Sequence, residues 1–259
     1  MKNRRGIVHL MYHEIELPGR SVCHSEPGYV RYVVRDADFR MQIGWLQQNC
    51  WRGLSVSEAL GFPEGRSVAI TFDDGCETDL LAAAPLLKRA RFAATFYITT
   101  GNLGKRGFLN LPQLRELSDL GFDIGCHSRT HPYLTDVPEE GLRDEISTVK
   151  DELEQLIGRP VLHFSCPGGR CDARVIAVAK GAGYHSVATS RTAPNFPGSD
   201  PFDLNRVAVM RNTTPGTFQH WCEGKALWTI QVQESARLAA QRLLGNSVYD
   251  RVRSVLLRG

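Results

Sequence analysis

No apolar run in this chain approaches the length needed to cross a membrane. The opening MKNRRGIVHLMYHEIELPG is basic, but its apolar stretch, residues 7–12, is interrupted by His9 and closed by His13 and Glu14. A secretory leader needs a longer uncharged stretch and a small-residue cleavage site, so the expectation is a soluble chain with no export signal. No CxxC pair occurs among the seven scattered cysteines. That argues against a disulfide framework or a thiolate zinc knuckle, and for free thiols in a reducing compartment, the cytoplasm. Net charge is scarce too: +3 over 259 residues gives no ground for expecting nucleic acid as partner. No GxGxxG follows an early strand, which removes support for a nucleotide-binding sheet. Internal repeats and low-complexity tracts are absent.

What the chain does have is alternation. Short apolar, β-branched runs fall at residues 7–12, 68–72, 93–98, 122–126, 161–164, 186–189 and 206–210. Segments of helical period lie between them, at 36–50, 78–90, 112–120, 139–157 and 172–182. The first of these helices is expected to open on an Asp36 cap and to bury Phe39, Ile43 and Leu46. Gly121 and Gly158 stand where a left-handed cap ends a helix. Strands alternating with helices imply parallel pairing, and about seven such units predict a distorted (β/α) barrel, with an open doubly wound sheet as the alternative. Residues 18–35 and 190–204 read as long loops over the barrel mouth. Residues 1–225 are expected to form the catalytic domain. Residues 226–259 form a C-terminal helical extension, basic and amphipathic over 235–259, that packs on the domain or makes a peripheral membrane contact.

Three strand ends carry candidate chemistry. The run Val68 to Gly75 is an apolar strand ending in Asp73 and Asp74. Two adjacent carboxylates repel, and a cation relieves that cost, leaving one acid as ligand and the other as base; a plain Asp-Gly turn reads equally well from these residues alone. The run Phe122 to Pro132 ends in His127 and His131, four apart, so both rings can converge on one ion. Pro132 makes a loop a better home for His131 than a mid-helix position. Asp74, His127 and His131 make a two-imidazole, one-carboxylate set with positions left open, which suits zinc hydrolysis and non-haem iron oxygenation alike. The third run, Val161 to Arg170, passes into Pro167-Gly168-Gly169, where glycine permits close backbone approach to a ligand.

TFDDG at 71–75, HSRTH at 127–131 and the Pro-Gly-Gly strand end together resemble the polysaccharide deacetylase family, the NodB-homology or carbohydrate esterase family 4 domain, over residues 7–222. The resemblance implies a distorted (β/α) barrel that removes acetyl groups from N-acetylated sugars. It implies Asp73 as base and Asp74, His127 and His131 as ligands of one divalent metal ion, usually zinc. It places Pro167 and Gly168 at the oxyanion. The family's motif arginine is missing from the third run; Arg206, in a Leu-x-Arg feature, is grouped with the oxyanion and substrate residues and is the candidate brace for Asp73. The family's late His-bearing strand is missing as well, and the opening Val8 to His13 resembles the circularly permuted subgroup, which makes His13 the acid. The expected partner is a carbohydrate, with Tyr12, Tyr29, Tyr32, Tyr133 and Phe196 as candidate stacking residues. Competing readings are a non-sugar amide hydrolase on this fold and a non-catalytic sugar-binding domain.

Overall fold

The computed structural model describes residues 6–228 and 230–232. Its strands are β1 (Val8–Tyr12), β2 (Ile15–Glu16), β3 (Val34–Arg35), β4 (Arg52–Leu54), β5 (Ser67–Phe72), β6 (Thr95–Ile98), β7 (Asp123–Cys126), β8 (His163–Ser165), β9 (Ser186–Ala188) and β10 (Val207–Ala208). Seven of them form one parallel path in the order β10-β1-β5-β6-β7-β8-β9. A parallel bridge from Ala188 to Leu204 joins β9 to the approach to β10. The path therefore curls into the distorted barrel expected from the alternation. β4 pairs with the first half of β5, and β6 with its second half, so β5 changes neighbour midway along its length.

All seven strands of the path were visible as apolar runs because strands buried on both faces carry no polar alternation. β5 is buried at every residue. Val8, Leu10 and Tyr12 join the main core, where Tyr12, Phe72 and Phe96 stack with centroids 5.2 and 4.8 Å apart. The Tyr12 hydroxyl donates to Gln42 Oε1 at 2.8 Å, tying β1 to the helix Asp36–Gln48. Buried polar groups also fill the barrel: His9, His163 and Arg206. His163 is paired at both ring nitrogens, with Ser186 Oγ at 2.9 Å and Ser57 Oγ at 2.8 Å.

Several helical expectations need correction. Arg35, not Asp36, is the cap residue of the first long helix. Asp36 lies inside the first turn, where its charge opposes the positive end of the helix dipole, and Phe39, Ile43 and Leu46 are buried as expected. The helix after β5 opens with a widened turn, Asp79–Ala83, before Ala84–Ala90. Residues 139–157 are helical throughout but also widen, at Asp144–Thr148. Gly121 and Gly158 adopt φ of +86° and +68°, the left-handed conformation expected of them. The loop over 18–35 contains a short helix, Pro27–Val30, and β3, which pairs with β2. Helices Val56–Leu60 and Pro215–Cys222 were not anticipated. Among the described residues no helix is long and apolar enough to cross a membrane. Leu227 is buried and Gln231 donates to the Thr192 carbonyl at 2.8 Å, so the start of the expected extension touches the domain. Residues 235–259 lie outside the described residues.

Gly125 shows how tightly the barrel is filled. It faces Tyr97 across the β6–β7 ladder, and a Cβ there would run into the Tyr97 ring and come within 3.0 Å of the His163 carbonyl. Gly125→Ala is expected to cost about 1–3 kcal/mol by overpacking. The check is a urea titration, in which the midpoint falls and the slope is unchanged.

Candidate active site

The candidate residues sit at the carboxyl ends of adjacent strands, the end of a (β/α) barrel that holds active sites. The Asp73 N–H donates to the Tyr12 carbonyl at 2.9 Å, extending the β1–β5 ladder by one rung. Asp74 then turns to φ +82° and Gly75 to +78°. Beyond β7 the His127 N–H donates to the Ile98 carbonyl at 2.9 Å, and Thr99 Oγ1 donates to the His127 carbonyl at 3.1 Å. Ser128 and His131 both adopt left-handed backbone, φ +63° and +62°, so His131 lies in a loop, as Pro132 suggested. Each such residue costs on the order of 1–3 kcal/mol, and the loop carries its own supports. Ser128 Oγ accepts from the His131 N–H at 3.0 Å. Glu145 Oε2 accepts from the N–H groups of Arg129 and Thr130, both at 2.9 Å.

These turns bring three donors together. His127 Nε2 lies 3.6 Å and His131 Nε2 3.4 Å from Asp74 Oδ1, and the three atoms all fall within 4.8 Å of one another. Asp74 Oδ1 is buried and has no hydrogen-bond partner. Donors bound tetrahedrally to zinc at about 2.0–2.1 Å stand about 3.3–3.4 Å apart, so the spacing and the orphaned oxygen fit a divalent cation. The Ser165 carbonyl, at 2.8 Å, accepts from His127 Nδ1. A carbonyl can only accept, so the proton is on Nδ1 and the Nε2 lone pair faces Asp74. Burial pushes the His127 pKa down to about 4, which keeps the ring neutral, the state a ligand needs.

Asp73 is the second carboxylate, buried 3.8 Å from His127 Nε2. Arg206 grips it with two parallel bonds, Nη1 to Oδ1 at 2.7 Å and Nη2 to Oδ2 at 2.8 Å. Burial alone would raise the Asp73 pKa. The Arg206 charge and hydrogen bonds, with His127, outweigh burial and hold the carboxyl well below the usual range. Arg206 is itself fully buried and also bonds the Thr189 carbonyl at 2.9 Å and Ser165 Oγ at 2.8 Å. It therefore lies behind Asp73 rather than in the mouth, in the bracing position. Ser165, whose carbonyl orients His127 and whose hydroxyl meets Arg206, was missed in the sequence, as was Glu145.

His13 follows β1 directly and adds to the field that lowers the Asp73 pKa. Its ring lies 4.8 Å from that of Tyr32, and its Nδ1 is buried without a partner. Pro167 and Gly168 occupy the turn after β8, with Gly168 at φ +60°. A Cβ on Gly168 would meet the Tyr133 ring at 2.5 Å, so this turn abuts the loop two residues beyond His131. The Arg170 guanidinium stacks on the same Tyr133 ring, its carbon 3.7 Å from the centroid. Of the aromatic candidates, Tyr12 is a buried core residue, and Tyr133 and Phe196 are exposed. A cavity of about 530 Å³ lined by Arg52, Lys88, Arg91 and Phe92 lies at the opposite, amino ends of β4 and β6 and contains none of these groups.

Residues 61–187 match the family model described as polysaccharide deacetylase. The chain belongs to that family. The peptidoglycan-N-acetylglucosamine deacetylase of Bacillus cereus is 33% identical over 124 residues, 48% of this chain and 56% of its own length. The peptidoglycan-N-acetylmuramic acid deacetylase of Bacillus subtilis is 32% identical over 131 residues, 49% of this chain and 48% of its own. The matches thus span about half the length of these two curated relatives. A deacetylase from Streptococcus pyogenes, solved in complex with acetate, shares the fold with a TM-score of 0.73, at 23% identity over 83% of this chain and 96% of its own.

Two outcomes follow from the electrostatics. Burial depresses the pKa of His9 to about 3 and those of His127 and His163 to about 4, against about 6.5 unfolded. The unfolded chain then binds more protons below that value, so stability is full above about pH 6.5 and falls as pH drops toward 4. Urea midpoints of chelator-treated protein should decline steadily below about pH 6.5, with a shallower decline in His163→Gln. Arg206→Met leaves Asp73 buried without its counter-charge and should cost about 3–5 kcal/mol. Arg206→Lys should recover only part of that in the same titration, because lysine has no planar fork.

Proposed function

We propose that this polysaccharide deacetylase family member hydrolyses N-acetyl groups on amino sugars of an oligosaccharide or glycan precursor, using one divalent ion of the zinc class. The observation that carries the reading is the convergence of Asp74, His127 and His131 with a second carboxylate, Asp73, left outside the ligand set and gripped by Arg206. The family match and the names of the relatives supply the substrate class. A bound ion supplies a Lewis acid for the acetamide carbonyl and acidifies the attacking water.

In this reading the protein groups divide the remaining work. Asp73, kept ionised and aligned by Arg206, takes the proton from water. The N–H of Gly168 faces the developing oxyanion, with Pro167 fixing the turn. His13, at the end of the neighbouring strand, delivers a proton to the departing amine. Acetate and a free amino sugar leave. Arg170 covers one face of the Tyr133 ring, and the part of the ring left exposed is a surface against which a pyranose can pack. The cytoplasm is the proposed place of action, supported by the scattered cysteines of the sequence; recovery of the native protein outside the inner membrane would count against it.

Acetate release from N-acetylated oligosaccharides, measured with and without chelator, tests the proposal. Asp73→Asn should lower turnover about 10²–10⁴-fold yet retain the His127-dependent metal equivalent. His127→Ala should lose both that equivalent and turnover. Full turnover in Asp73→Asn would remove Asp73 as base, and metal binding with no acetate release from any substrate would favour a sugar-binding role.

A further inference from the structure

A second group of donors lies beside the first, built from segments that the deacetylase reading leaves unused. Glu14 follows His13 after β1, Cys23 lies in the loop over 18–35, and Cys76 follows Gly75 after β5. One oxygen of Glu14 and both sulfurs fall within 4.8 Å of one another. The two Sγ atoms are 3.5 Å apart, close to the separation of about 3.8 Å expected for two sulfurs held tetrahedrally on zinc at about 2.3 Å. A disulfide would require them at about 2.05 Å. The Cys23 N–H donates to both Glu14 oxygens, at 3.2 and 3.0 Å, which turns the loop back onto the carboxylate. The Tyr29 hydroxyl closes a fourth side, 3.0 Å from Glu14 Oε2 and 3.4 Å from Cys76 Sγ.

An independent observation points to a cation here. Asp79 is completely buried, and neither of its carboxyl oxygens has a hydrogen-bond partner. Cys23 is the group that acts on it most strongly, followed by Asp74 and Glu14. Glu14 is also buried, and its carboxyl oxygens accept only from the Cys23 N–H and the Tyr29 hydroxyl among the bonds described. Glu14 and Asp79, the latter three residues beyond Cys76, are thus two buried carboxyls close to one pair of thiols, and a divalent cation held there would offset their charge.

We propose that Glu14, Cys23 and Cys76 form a second metal site that takes a thiophilic divalent cation of the zinc class. Two sulfurs and one oxygen select zinc over magnesium or calcium. Binding releases the thiol protons to solvent and neutralises the field on Asp79. Its role is structural. Each of two ligands is chain neighbour to an active-site segment, Glu14 to His13 and Cys76 to the Asp73–Gly75 turn, while Cys23 belongs to the overlying loop. The ion therefore clasps that loop onto the ends of β1 and β5. This site does not depend on the deacetylase reading, because its donors are disjoint from Asp74, His127 and His131.

Cobalt(II) separates the two sites by spectrum. The His-Asp set contains no sulfur, so a sulfur-to-cobalt charge-transfer band in the near ultraviolet can come only from cysteine. The full-length, fully reduced protein titrated with cobalt(II) should take up two equivalents and develop this band. His127→Ala should bind one equivalent and keep the band; Cys23→Ser should bind one and lose it. Zinc added afterwards should bleach it. Absence of the band in reduced wild-type protein overturns the proposal, as does its persistence in Cys23→Ser, which would assign it to other cysteines. Loss of two titratable thiols in freshly purified protein, restored by dithiothreitol and absent from Cys23→Ser, would also overturn it in favour of a Cys23–Cys76 disulfide.

Discussion

Arg206 and Asp73 form a fully buried, two-pronged ion pair, 133 residues apart in sequence, at the centre of the barrel end. Removing two charges from water is expensive, and only near-ideal geometry with further hydrogen bonds compensates for it. Here the compensation is complete enough to dictate the surroundings. The remaining guanidinium hydrogens go to the Thr189 carbonyl, Ser165 Oγ and Thr71 Oγ1, the face of Tyr97 lies 5.5 Å from its carbon, and β7 carries glycine at 125 so that this ring has room. The strand ends on either side of Asp73 are thus positioned by a polar network as much as by apolar packing.

The network reaches the donor set through Ser165. Its hydroxyl contacts Arg206 and its carbonyl accepts from His127, so one residue of β8 couples the orientation of the free carboxylate to that of a ligand ring. The strained turns at Asp74, Ser128 and His131 then bring the remaining donors around one point. Strain of this kind persists where neighbouring bonds over-determine the backbone, and Glu145, reaching in from the helical passage over 139–157, supplies two such bonds.

The sequence carried the parts of this arrangement that depend on local pattern. The strand runs were legible because burial on both faces makes them uniformly apolar, and Asp73, Asp74, His127 and His131 were legible because each pair ends such a run. β4 was not, since three residues with one charged side chain make no pattern. The helix Val56–Leu60 was readable in principle: Ser55 and Glu58 form a reciprocal capping box, as Thr214 and Pro215 announce the helix Pro215–Cys222. Ser165 and Glu145 left no signal. Ser165 orients His127 through a carbonyl that every residue possesses and meets Arg206 only because the fold brings them together, and Glu145 acts on backbone groups sixteen and fifteen positions away. Arg206 could be suspected as the brace, but its side chain found Asp73 only through the barrel's closure.

β1 lies between β5 and β10, and this placement bears on how the molecule is assembled. On one side β1 waits for a partner about sixty residues downstream, and on the other for Val207 and Ala208 near the far end of the domain. Long-range parallel pairing is slow, because the loop must be closed before the contact rewards it. While the ribosome is still making the second half of the chain, this apolar strand has an open edge of unsatisfied amides. Such an edge is the part of a nascent chain that invites wrong pairing, so the strand that sets His13 in place is also where a trapped folding intermediate would expose itself to chaperones.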